Sequence, residues 1–300
     1  MKRLSFFLIL WSICCFSAGT VSANETGHFV CGVEGLRLGS GPPPGFYYKI
    51  YNVFYNTHTI KDNHGDQIHL RPDIQDYIMV HRPIWISNKK LFGANFYLTL
   101  LIPFAYVDFR VKDSGVSDSR WSYGDICFEF FGLSWRRKTR DTLFSLALYA
   151  PTGKYDREEP ASIGKDMWTF MVSYGETFFL DEKKEWSLSA MVRYELHSKK
   201  RRERVRPGQD FNFEWSVGKA FGRLWEVGIA GYAHYQITDD TGQDVTWSSY
   251  VHDRVFAAGP EISIYLPFMK FKGQLRHLIE FGARDRSQGA ITVISFTIMF

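Results

Sequence analysis

The sequence predicts an all-β chain closed into a single antiparallel transmembrane β-barrel of about twelve strands. Three observations carry that expectation. The last residues keep a strict two-residue rhythm, with Ile294, Phe296, Ile298 and Phe300 on one face and Val293, Ser295, Thr297 and Met299 on the other, the signature of a strand with one apolar surface. Residues 1–23 read as an export signal: a basic start at Lys2 and Arg3, an apolar run from Phe6 through Cys15, and small residues at Val21-Ser22-Ala23, with cleavage expected before Asn24. Beyond Ala23 no stretch approaches the roughly 20 apolar residues of a spanning helix, so membrane residence requires a closed barrel, the one sheet form that leaves no backbone group unpaired in hydrocarbon.

Neither Cys14 nor Cys15 follows a small residue, which argues against a lipid-attachment site. The formal net charge of +4 falls to +2 when Lys2 and Arg3 leave with the signal, too little to imply a polyanion partner. Aromatic residues make up 17% of the chain against 23% charged, a mixture that suits strands with one lipid face and one wet face.

Twelve strand candidates follow from period-two alternation and turn residues: 46–57, 74–86, 92–109, 123–135, 142–151, 167–180, 186–197, 210–220, 225–237, 254–266, 271–282 and 290–300. Their connections alternate. Those holding Gly65, Gly115, Gly153, Gly208 and Gly242 are long and polar, whereas Ser87 to Leu91, Arg136 to Asp141, Asp181 to Glu185, Phe221 to Leu224 and Pro267 to Lys270 are short. Short periplasmic turns, long outer loops and an even strand number are the habit of outer-membrane barrels, and both termini fall on the short-turn side.

The faces assign an interior. In 186–197, Trp186, Leu188, Val192 and Leu196 alternate with Ser187, Ser189, Arg193, Glu195 and His197; in 210–221, Phe211, Phe213, Trp215 and Val217 oppose Asp210, Asn212, Glu214 and Ser216, with Lys219 an exception near a turn. An arginine or lysine on the lipid face at mid-membrane costs about 2–4 kcal/mol, so the polar set belongs in the lumen. Trp186, Phe221 and Trp225 at the short turns, and Trp168, Phe211 and Tyr235 toward the long loops, fit interfacial girdles. The rival is a soluble β-sandwich with the same alternation, its aromatics inward and its charges outward.

Parity makes Asp125, Glu129, Arg193, Glu195, His197, Glu214, Glu226, His234, Glu261, Arg276 and Glu280 the lumen-facing candidates. The acidic groups outnumber Arg193 and Arg276, which leaves two readings: an internal network of ion pairs and hydrogen bonds, or a narrow path biased against anions. Twelve strands enclose less space than the sixteen of an open porin. A charged lumen suits neutral, partly polar aromatics better than pure hydrocarbons.

Residues 24–45 carry six glycines and three prolines and no strand pattern. They form either a periplasmic leader or a plug folded into the barrel, which spans 46–300. In the plug reading a Cys31 to Cys127 disulfide could staple the segment to the wall, since Cys127 shares the parity of Asp125 and Glu129. The basic run Lys199, Lys200, Arg201, Arg202, Arg204 and Arg206 lies in a long outer connection, as a solvated loop or as a contact for lipopolysaccharide phosphates.

Ordered short motifs also carry a family resemblance: Gly35-Leu36, Pro42-Pro43-Pro44-Gly45 leading into Phe46 to Tyr55, Gly124-Asp125 entering a strand toward Trp135, Ala150-Pro151-Thr152-Gly153-Lys154-Tyr155, Gly259-Pro260-Glu261, and Glu280 through Arg286 with Gly289 before the last strand. The chain resembles, over nearly all of its mature length, the phenol meta-pathway degradation family of outer-membrane proteins. The resemblance implies a channel in the outer membrane of a Gram-negative bacterium more firmly than it implies phenol.

The expected partners are outer-membrane lipid and lipopolysaccharide, a small-molecule solute, and the barrel-assembly machinery that reads a strand ending in Phe300; no nucleic acid partner is expected. The expected function is passive uptake of small aromatic or poorly polar molecules. A structural or adhesion barrel with a filled lumen is the alternative from another class. A hydrolase is a minor third reading, resting on Asp239, Asp240, Asp244, His252 and Asp253 in one outer loop. With no HExxH, no paired CxxC and no phosphate-cradling glycine motif, no cofactor and no metal are expected.

Overall fold

The computed structural model describes residues 27–113, 115–157, 159 and 161–300. The expected signal at 1–23, its cleavage point and the first residues of the leader lie outside the described residues. Thirteen strand segments form one sheet: β1 (Gly45–Thr57), β2 (Pro72–Leu91), β3 (Ala94–Val111), β4 (Val116–Tyr123), β5 (Ile126–Arg136), β6 (Arg140–Ala150), β7 (Thr169–Phe179), β8 (Trp186–His197), β9 (Asp210–Phe221), β10 (Trp225–Gln236), β11 (Arg254–Leu266), β12 (Phe271–Arg284) and β13 (Ala290–Met299). The neighbour order is β2-β1-β13-β12-β11-β10-β9-β8-β7-β6-β5-β3-β4, and the β2–β3 pairing closes it. β4 and β5 follow one another along β3, so the wall has twelve positions. All of the pairs are antiparallel, as expected.

The first and last strands pair directly, with Tyr47 opposite Met299 and Asn56 opposite Ala290. The termini of the sheet therefore share one end with the short turns. Boundaries follow the alternation closely, and 186–197 and 254–266 coincide with their expected ranges.

Two expectations change. The turn between β2 and β3 is Phe92–Gly93, both at positive φ, instead of Ser87 to Leu91; β2 runs on to Leu91 through a register shift between Ile86 and Lys90. The connection holding Gly115 is a tight turn after Val111, because residues 116–123 pair with 104–111 as β4. Asp108, Arg110, Asp118 and Arg120 make that hairpin too polar to read as membrane strand from composition. It rises as an extension of β2 and β3 on the long-loop side.

The burial pattern is inverted relative to a soluble protein, which rules out the sandwich. Phe296, Ile298, Leu275, Ile279, Val227 and Ile229 are exposed, while Glu195, Asn212, Glu214, Ser216, Arg276 and Ser295 are buried. Trp186, Phe221 and Trp225 ring the short-turn rim on the outside, and the Lys219 ammonium reaches back over the Trp186 ring, 4.9 Å from its centroid. In the short turn between β7 and β8, the backbone N–H groups of Trp186 and Glu185 donate to Asp181 and hold its carboxyl below the usual range.

Ile229 sits midway along β10 with its side chain outward. Ile229→Arg should cost about 2–4 kcal/mol in urea unfolding of the lipid-reconstituted protein. A change within a few tenths of a kcal/mol would place β10 out of the hydrocarbon.

Candidate channel lumen

The interior is organised by residues 27–44, which run inside the wall before β1 begins. His28 and Phe29 donate their backbone N–H groups to Glu195 Oε1, each at 3.0 Å. The Gly32 N–H donates to Glu214 Oε1 at 2.8 Å, the Leu36 N–H to Glu261 Oε2 at 3.0 Å, and the Gly39 N–H to Thr177 Oγ1 at 3.1 Å. The acceptors come from β7, β8, β9 and β11. A chain with no strand of its own thus turns its donors to carboxylates of the wall and to the Thr177 hydroxyl. Arg37 anchors the short-turn end, donating from Nε to Glu226 at 2.7 Å and from Nη2 to the Lys184 carbonyl at 2.9 Å. Glycine is required where the approach is closest: a Cβ on Gly35 would overlap the Arg276 guanidinium and the Glu261 carboxylate.

All eleven lumen-facing candidates are buried. Arg276 Nε donates to Glu261 Oε2 at 2.7 Å and its Nη1 reaches the Gly32 carbonyl. Arg193 pairs with Glu214 and lies over the Phe29 ring, 4.1 Å from its centroid. Asp125 accepts from the backbone of Gly153 and Lys165 at 2.7 Å and contacts His28 Nε2 at 2.9 Å. Glu280 accepts from Tyr232 at 2.6 Å and from Tyr55 at 3.1 Å. His197 and His234 each face Asp210, at 3.1 and 3.8 Å. The carboxylates are therefore held in a network of ion pairs and hydrogen bonds.

Sequence reasoning missed part of that balance. Arg82 bridges Glu34 at 2.6 Å and Glu129 at 2.7 Å, Lys49 pairs with Glu34 at 3.3 Å, and Arg286 with Asp253 at 3.1 Å. Arg82 was open to the same parity as Ile78 and Val80; its partner Glu34 was not, because it lies in the patternless segment.

Facing this polar half is an apolar one. A cavity of about 480 Å³ lies between the N-terminal segment and the tall β2–β3 wall, lined by Ile78, Val80, Leu101, Ala105, Val107 and Phe109 among others. On these strands both faces are apolar, so alternation alone did not separate inside from outside. Position does: Ala105 is buried and its neighbour Phe104 exposed.

Cys31 and Cys127 both line this cavity, yet each is a free thiol, which corrects the proposed bridge. Cys31 Sγ donates to Asn212 Oδ1 at 3.0 Å on β9, while Cys127 on β5 packs against Ala147, Tyr149 and Met171. The segment is held by backbone donors and needs no staple.

In the basic loop, Lys199, Arg201, Arg202, Arg204 and Arg206 are exposed, but Lys200 is buried, its Nζ 3.1 Å from the Tyr155 hydroxyl, and does not belong to an outer contact face. Arg204 donates from backbone and guanidinium to Asp244, at 2.9 Å each, which holds that carboxyl below the usual range. Of the loop acids, Asp239 meets His252 at 2.8 Å, whereas Asp240 and Asp253 are buried in structural contacts with Gly208, Trp247, His234 and Arg286.

The family described as "Putative MetA-pathway of phenol degradation" matches residues 57–296. The chain belongs to this family. No curated protein matches it. Among solved structures, this family member is similar to the COG4313 outer membrane channel from Pseudomonas putida F1, at 14% identity and a TM-score of 0.75, covering 87% of this chain and 97% of that one. A looser likeness, TM-score 0.48 and 9% identity over 86% and 90% of the two chains, is to the translocator domain of the autotransporter NalP from Neisseria meningitidis. The first likeness is of fold. The closed barrel with its apolar exterior and polar interior is outer-membrane architecture, which places this family member in the outer membrane of a Gram-negative bacterium.

Both thiols should be alkylated once the protein, purified without reductant, is unfolded, as intact mass will show; a mass lacking both adducts would restore the disulfide. Gly35→Val should push the segment away from Arg276 and Glu261 and raise ionic conductance in planar bilayers, whereas unchanged conductance would mean that the segment does not limit the lumen.

Proposed function

We propose that the protein is a channel for passive passage of small aromatic or otherwise poorly polar molecules across the outer membrane. The observation that carries this reading is the apolar cavity along β2 and β3. Its volume of about 480 Å³ lies within the roughly 300–1,000 Å³ of ordinary small-molecule sites. A neutral aromatic solute gains contact there with Val80, Leu101, Ala105 and Phe109, and finds Arg82, Tyr55 and Asp76 on the same lining for a single polar substituent. Ions and sugars gain no comparable contact.

In this reading residues 27–44 act as a plug. The solute comes down from the long-loop side, rests in the cavity, and leaves toward the periplasm past the β1–β3 side of the plug, where the pairs of Glu34 with Lys49 and Arg82 must give way while the opposite side stays bound to β7–β11. Nothing in the mechanism consumes energy; the gradient drives it. The exposed arginines of the loop at 198–209 would meet lipopolysaccharide phosphates, and the strand ending at Phe300 would be the one read by the assembly machinery.

The second reading, a structural barrel with a filled lumen, is favoured by the many bonds that anchor the plug. Solute flux separates the two. Proteoliposomes should leak a phenol-sized solute faster than empty liposomes, and Ala105→Trp, which fills the cavity, should reduce that leak at least several-fold without unfolding the barrel. Equal leak with and without protein would leave the structural reading; equal leak for wild type and Ala105→Trp would move the path elsewhere.

A further inference from the structure

At the outer end of the N-terminal segment, side chains from four places in the chain converge in the wall: Glu195 and His197 on β8, Asp210 at the start of β9, His234 on β10, and Asp253 immediately before β11. All five are buried. The candidate donor atoms of Asp210, His234 and Asp253 lie within 4.8 Å of one another, and those of Glu195, His197 and Asp210 form a second set that shares Asp210.

Hydrogen bonding assigns the imidazole of His234. Asn212 Nδ2 donates to Glu195 Oε2 at 3.1 Å, which fixes Oδ1 as the other end of the amide; Cys31 Sγ donates to that oxygen at 3.0 Å. His234 Nδ1 lies 2.7 Å from the same Oδ1. An amide oxygen only accepts, so Nδ1 carries the hydrogen and Nε2 of the neutral ring presents a lone pair. That lone pair faces Asp253 Oδ1 at 3.1 Å and Asp210 Oδ1 at 3.8 Å, and carboxylate oxygens also only accept. With the ring neutral, three acceptors converge with no donor among them. The second oxygen of Asp210 meets another imidazole nitrogen, His197 Nε2, at 3.1 Å. Against Glu195, Asp210 and Asp253 the cluster sets one guanidinium, Arg286, which donates to Asp253 Oδ2 at 3.1 Å.

We propose that Asp210, His234 and Asp253 hold a divalent cation of the zinc class, with His197 and Glu195 on its flank. One imidazole nitrogen and two carboxylates are a ligand set that zinc accepts, with a water as fourth partner. Ligands about 2.0–2.2 Å from a tetrahedral ion stand about 3.3–3.6 Å apart, and the two carboxylate oxygens stand 3.1 and 3.8 Å from His234 Nε2. The Nδ1–H bond to Asn212 is the outer contact that orients a ligating histidine. His234 and Arg286 also line the cavity, so an ion has a route in. The ligands lie on separate strands, which is why no short motif announced them. A Cβ on Gly27 would overlap the Asp210 carboxylate, so the cation would sit where the N-terminal segment meets the wall and would favour the docked segment by linkage.

A second proton on His234 is the competing way to satisfy the same acceptors, and metal analysis separates the two. The intact protein, purified in detergent without chelator and given zinc, should retain one zinc per chain after desalting. His234→Gln and Asp210→Asn, shown to be closed barrels by heat-modifiable migration, should bind zinc at least about tenfold more weakly in competition with a chromophoric chelator. X-ray absorption at the zinc edge of the wild type, which needs no variant, should show imidazole and carboxylate ligands. No zinc in the folded wild type, undiminished binding in both folded variants, or a zinc shell of water alone would each overturn the proposal.

Discussion

A buried carboxylate must find donors, and this barrel buries a row of them. Glu195, Glu214 and Glu261 project inward from β8, β9 and β11, and a carboxylate stripped of water and left unpaired costs several kcal/mol. Arginines supply part of the answer. The remainder comes from peptide N–H groups of a chain that has no sheet partner and whose own donors also need acceptors. Wall and segment thus solve each other's problem: wall carboxylates take the place of a β-ladder for the N–H groups of His28, Phe29, Gly32 and Leu36, and the segment replaces water for the carboxylates. This exchange explains the glycines of the leader, since the backbone can come within reach of the acids only where side chains are absent.

The same arrangement divides the interior. The β7–β12 side is polar and occupied, while the β1–β3 side is mostly apolar, interrupted by Lys49, Asp76 and Arg82, and keeps an open volume of about 480 Å³. A lumen lined evenly with charge would offer a neutral aromatic nothing, and one lined evenly with aliphatics would leave the segment unheld. Geometry reconciles a charged lumen with the poorly polar solute we propose, because the mostly charged and mostly apolar stretches of wall lie on opposite sides of the N-terminal segment.

The barrel was legible because a period of two, the turn residues and the unbroken apolar face of β13 all point to one architecture. The lumen-facing parity of Glu195, Glu214 and Arg276 was legible for the same reason. Partnership was not: Glu34 meets Arg82, and Gly32 meets Glu214, across separations in sequence that no local pattern encodes. The apolar half escaped notice because β2 and β3 are greasy on both faces, so alternation carries no sign there. β4 was missed for the opposite reason, being polar enough to pass for loop, and Cys31 to Cys127 shows the limit of parity, which places a thiol in the lumen without saying which neighbour it meets.

The most direct test of the account is amide hydrogen exchange along residues 27–39 of the detergent-solubilised protein. These residues belong to no strand, yet His28, Phe29, Gly32, Leu36 and Gly39 donate their N–H groups to wall side chains. The account predicts protection of these amides comparable to that of β9 and β10. Exchange at the rate of an unstructured peptide would show that the carboxylates are satisfied by something else, and the divided lumen would have to be abandoned.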